Sequence, residues 1–201
     1  MIRIVKSIVT IVAVAAIATT ATGAYFSDTE TSTGNTITAG TLDLNLDGGN
    51  TNVVKFAVTD MKPGDTKTGM YAVANAGSIS GYLDLESIAV SSDDNLCNEP
   101  ETNAGDVTCG VGDGELAGLV NLQIYSDADL SGTYTAGDVL IYNGLASSIA
   151  ASYDANIAVA AAATKNIIVD ASWASSANDN MAQTDSLNLN MTFELAQTTA
   201  Q

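Results

Sequence analysis

The chain has 201 residues, with 23 acids against six cations, no histidine and a net charge of −17. That balance repels nucleic acid and anionic membrane surfaces, and suits divalent cations, salty surroundings or plain solubility. Charged residues are nevertheless only 14% of the chain and hydrophobic ones 46%, so the charge does not imply disorder, and the length fits one domain with a real core.

Residues 1–23 place Arg3 and Lys6 before an apolar run from Ile8 to Ala18 and then small residues, the three-part layout of a secretory signal. The run falls short of the roughly twenty apolar residues needed to cross a bilayer. Ala21 and Gly23 favour cleavage before Ala24. Thr22 and Ala24 allow it one residue later, and an uncleaved N-terminal anchor is the alternative. Cleavage before Ala24 leaves 178 residues with four cations against all 23 acids, a net charge of −19.

Period-two alternation then recurs along the chain. TLDLNLDGG sets Leu42, Leu44 and Leu46 on one face, and VVKFAVTDM does the same with Val54, Phe56 and Val58. MKPGD, residues 61–65, puts Pro63 and Gly64 at the centre of a type II turn. MYAVANAG and GYLDLESIAV follow as strands. NLCNEPETNAGDVTCGVGDG is too polar and Gly-rich for a core strand, and it holds both cysteines, Cys97 and Cys109. In an exported chain these are expected to form one disulfide, which is worth about 3 kcal/mol in the chain-entropy picture. Two free thiols or a partial metal site is the alternative, although metal frameworks normally need four ligands and histidine is absent.

LVNLQIYSD (Val120, Leu122, Ile124) and DVLIYNG are the next strands. Residues 145–163 read as a short helix or turn followed by a strand, because alanine favours helix while IAVAA also fits a strand. KNIIVDASW presents Ile167, Val169, Ala171 and Trp173, and DSLNLNMTFEL presents Leu187, Leu189, Met191, Phe193 and Leu195. Strands of this number, separated by turn signals, predict an all-β, antiparallel β-sandwich.

Without histidine there is no HExxH zinc helix, no Ser-His or Cys-His pair and no imidazole base. The carboxylates lie scattered in turns, and GVGDG and DGGN lack the lysine and strand–loop–helix context of a phosphate cradle. The expectation is therefore that the chain is not an enzyme. One loop has specific chemistry: DADLSGTYTAGD, residues 127–138, sets Asp127, Asp129 and Ser131 at alternate positions, Gly132 sixth and Asp138 twelfth, as in an EF-hand-type calcium loop. It departs from that pattern in ending on Asp rather than Glu and in having strands on either side. Calcium binding and an ordinary solvated connection both remain open. Asp93, Asp94, Asp106 and Asp113 form no comparable pattern.

Four ordered blocks, AYFSDTETSTGNTITAGTLDLNL after the signal, VTDMKPGDTKTGMYAVANAGSISGYLDL, YSDADLSGTYTAGDVLIYNG and SWASSANDNMAQTDSLNLNMTFELAQ, resemble the TasA and camelysin family of exported proteins. Archaeal bundling pili are similar to this family too. The resemblance implies a jelly-roll-like sandwich at 41–201, export through a dedicated signal peptidase, and self-assembly into extracellular fibres of a biofilm matrix, with no membrane association after signal cleavage. It also implies that residues 24–40 add a strand to the next subunit, with Ala24, Tyr25 and Phe26 as the anchor. Camelysin is linked to metallopeptidase activity, so a secreted metallopeptidase is the alternative, and a monomeric cell-surface adhesion module is a third reading. The expected partners are other copies of the chain and divalent cations, calcium above all.

Overall fold

The computed structural model describes residues 39–48, 61–110 and 114–199. The signal at 1–23, the anchor residues Ala24, Tyr25 and Phe26, and the strand expected at 54–60 lie outside them. The described residues form two antiparallel sheets. One has the order β1 (Leu44–Leu46), β2 (Thr66–Asn75), β7 (Thr164–Trp173), β4 (Val120–Asp127), β5 (Val139–Leu145); the other has the order β6 (Tyr153–Val159), β3 (Gly81–Asp93), β8 (Ser186–Ala196). Every connection after β2, except the β4–β5 hairpin, switches sheets. Such switching builds a sandwich from strands distant in sequence.

The alternation of the strands is what closes this sandwich. Val120, Leu122 and Ile124 on β4, Ile167, Val169, Ala171 and Trp173 on β7, and Tyr71 and Val73 on β2 are all buried between the sheets. Each such aliphatic or aromatic side chain contributes about 1.5–3 kcal/mol by leaving water. On β3 the inward residues change parity, from Leu83 and Leu85 to Ile88. The cause is a bulge between Leu85 and Ser87 in the β8 register, which inserts one residue and resets the alternation.

One sheet switch and one turn are tied down by polar groups. The buried Asn75 donates through Nδ2 to Ile79 O at 2.7 Å and accepts from Gly77 N–H at 3.0 Å, closing the β2–β3 corner. Gly77 is required there: a Cβ would meet the Thr41 carbonyl oxygen at 2.1 Å. Ahead of β2, Gly64 has φ +92° and Asp65 N–H returns to Lys62 O at 3.0 Å, the turn that MKPGD predicts.

Residues 145–163 resolve as a 3₁₀ turn at Ala146–Ser148 followed by β6. One element differs from the sequence reading. The polar segment between the cysteines contains a helix, α1 (Glu99–Ala104). Asn98 caps it by accepting from Glu101 N–H at 3.0 Å, while Glu101 Oε2 accepts from Asn98 N–H at 2.6 Å, and Gly105 ends it in the left-handed conformation. The signal was legible as Asn-Glu-Pro-Glu, a capping residue three before a Glu with Pro in the first turn.

Candidate metal centre

The β4–β5 connection is the loop singled out by spacing. Its first ligand candidate, Asp127, is the last residue of β4 and is buried, so the strand holds it in place. Asp127, Asp129 and Asp138 each offer a carboxylate oxygen, and these oxygens lie within 4.8 Å of one another. Gly132 has φ +71°, as the sharp turn at the sixth position demands. Leu130, exposed and in the left-handed region at φ +60°, shares that turn.

The carboxylates are oriented by the loop's own donors. Asp127 accepts from Ser131 N–H at 3.2 Å and from Gly132 N–H at 2.9 Å. Asp138 accepts from Ala128 N–H at 2.8 Å and from Thr135 N–H at 2.6 Å. Asp129 accepts from Ser131 N–H at 3.0 Å and Thr135 Oγ1 at 3.2 Å. The Ser131 side chain and backbone hold the Asp129 carboxyl below the usual carboxylate range, against a smaller opposing effect of burial. Ser131 itself donates its hydroxyl to Thr133 O at 2.8 Å, so three of the four residues expected to bind metal converge and Ser131 orders them. An all-oxygen carboxylate set of this kind fits a hard divalent cation such as calcium and does not supply the nitrogen or sulfur ligands preferred by zinc.

Cys97 and Cys109 are bonded to each other, with Cα atoms 5.1 Å apart and α1 in the loop between them. Asp94 Oδ2 and Asp106 Oδ2 approach Cys97 Sγ at 3.6 and 3.5 Å, so the fold brings together two aspartates in which the sequence shows no pattern. The bonded sulfurs offer no thiolate, which leaves Asp94 as the one anionic group in its cluster with the two cysteines. Across this lobe the buried Glu101 accepts from Thr184 N–H at 2.8 Å, pinning α1 to the segment before β8.

The match to known families decides the relationship, since the camelysin metallo-endopeptidase family matches residues 2–201. The chain belongs to the camelysin metallo-endopeptidase family. No curated protein matches it. This membership corrects the expectation that the chain is not an enzyme, because the family is described as a metallo-endopeptidase. The absence of histidine excludes histidine-ligated zinc and an imidazole base, while the carboxylates of Asp127, Asp129 and Asp138 lie close enough together for one cation to contact all three.

Proposed function

We propose that this camelysin-family chain is an exported structural subunit that joins copies of itself into fibres or pili at the cell surface, by adding residues 24–40 of one copy to a sheet of the next. The observation that carries this reading is β8. Among the described residues β8 pairs only with β3, so its outer edge offers a row of N–H and C=O groups to an incoming strand. Of its apolar face, Phe193 is buried, while Leu187, Leu189, Met191 and Leu195 are only half-buried, and the sheet to which it belongs has three strands against five. An added strand supplies both the ladder partners and the missing cover. Calcium held by Asp127, Asp129 and Asp138 would neutralise their repulsion and stiffen the β4–β5 connection. Deleting residues 24–33 tests assembly: the truncated chain is expected to stay folded and monomeric by light scattering and electron microscopy. Filaments like those of the intact mature chain would refute strand addition by this segment.

The description of the family supports a second reading, peptide hydrolysis. Chelator-sensitive cleavage of casein that co-purifies with the protein and disappears in Asp129→Ala would establish it. Filament growth in the same preparation is scored separately, so the two readings are distinguishable.

A further inference from the structure

The outer face of the five-stranded sheet carries a groove of about 440 Å³, within the usual size of a ligand site. Four adjacent strands line it: Thr66 and Thr68 on β2, Asp170 and Ser172 on β7, Asn121 and Gln123 on β4, and Asn143 on β5, with Gly132 and Thr133 of the β4–β5 loop as the remaining wall. From β2 to β5 it crosses three inter-strand gaps, roughly 14 Å. Its lining has no large apolar side chain, whereas ligand pockets are normally mostly apolar.

The register makes this a single array. Thr68 lies opposite Asp170, Asp170 opposite Gln123, and Gln123 opposite Asn143, while Thr66, Ser172 and Asn121 form the adjacent row. Thr68 Oγ1 donates to Asp170 Oδ1, and Asn121 Nδ2 donates to Asn143 Oδ1 at 3.0 Å. These bonds fix the forks and leave Asn121 Oδ1 free to accept and Asn143 Nδ2 free to donate. Two residues beyond Gln123 on β4, and by alternation on the same face as the array, Tyr125 is fully buried. Tyr134, next along the loop after Thr133, sets its ring edge-on to Tyr125 at 5.5 Å and is 42% exposed.

We infer that this groove binds a neutral polyhydroxylated chain, a saccharide, across β2, β7, β4 and β5. A sugar hydroxyl both donates and accepts, which matches alternating hydroxyl, amide and carboxylate groups. Asp170 and the chain's net charge of −17 disfavour polyanions, and with no large apolar side chain in the lining a greasy segment has little to bury against. Tyr134 is not itself in the lining, but it follows the wall residue Thr133 and is part-exposed, which leaves a ring within one residue of the groove. The inference does not rest on fibre assembly.

The test is calorimetric titration of the intact mature chain with cellohexaose, laminarihexaose and chitohexaose, with polyguluronate and a Gly-Ser hexapeptide as comparisons. At least one neutral hexasaccharide should bind with a Kd of about 0.1–1 mM, and polyguluronate should not. Gln123→Ala and Asp170→Asn should each weaken binding by about tenfold or more while the circular dichroism and melting temperature of the Gln123→Ala chain stay those of the parent. No saccharide binding at about 10 mM, equal binding by the Gln123→Ala chain, or preference for the peptide would overturn the assignment.

Discussion

Asp185 pays for its position just before β8. One carboxylate oxygen accepts from Leu116 N–H at 2.9 Å, while the other, like one oxygen of Glu115 nearby, is buried without a hydrogen-bond partner among the described residues. Burial first, then the Glu115 and Asp94 charges, raise its pKa from 3.8 to about 6, against the opposing pull of the Leu116 and Glu115 backbone donors. Because the folded value lies above the unfolded one, its contribution is fully present below about 3.8 and is lost as pH rises through about 6. Asp185→Asn keeps an acceptor for Leu116 N–H and removes the charge. It should therefore stabilise the protein at about pH 7.5 and leave it unchanged near pH 3.5, by on the order of 1 kcal/mol once solvent screening of this part-exposed group is allowed for. Melting curves at the two pH values check this, with a shift of about 2–4 °C expected at the higher one. Equal shifts at both would assign the effect to packing rather than to ionisation.

The strands were legible wherever one face is apolar and the other polar, as in β4 and β7, because burial of one face enforces period two. Three features were not. The β3 bulge leaves no local trace, since only the register with β8 defines it. Helix α1 is too short and polar to show an apolar stripe, and its capping residues were its only mark. The groove draws its lining from four strands and a loop, so no contiguous motif exists. The convergence of Asp127, Asp129 and Asp138 was readable because the three come from a single 12-residue connection, where spacing alone brings them together. It makes a definite prediction: calcium at about 100 times its Kd adds roughly 2.7 kcal/mol of stability, a rise of about 5–10 °C in Tm, and Asp129→Ala abolishes the rise. Identical melting in calcium and in chelator would make the loop a plain connection. The disulfide lobe behaves differently. Replacing Cys97 and Cys109 with Ser should cost about 3 kcal/mol by releasing the loop around α1, with no change in the calcium response, since the two sites lie in separate connections. Loss of the calcium response in that variant would show that the two loops are coupled.

At the scale of the whole molecule, the imbalance between five strands and three among the described residues is the fact that sequence reading could not reach. Alternation says which face of a strand is buried, but pairing order depends on contacts between segments as distant as β3 and β8. Among the described residues that order leaves β8 at an edge with a half-covered apolar face, which is where the proposed fibre joint would seat Tyr25 and Phe26. If Phe26 of one copy seats against such a face in the next, its burial contributes about 1.5–3 kcal/mol at every joint. Phe26→Asp removes that contribution and places an unpaired charge in the joint, which costs more. The critical concentration for assembly should then rise by at least about tenfold to a hundredfold, while the melting temperature of the dispersed chain stays that of the parent, because Phe26 precedes the compact unit that begins at Ala39. Sedimentation of polymer at graded protein concentrations measures both quantities on one preparation. An unchanged critical concentration would mean that copies meet through another edge, and β5, with Val139, Leu140 and Leu145 each more than 40% exposed, would be the edge to alter next.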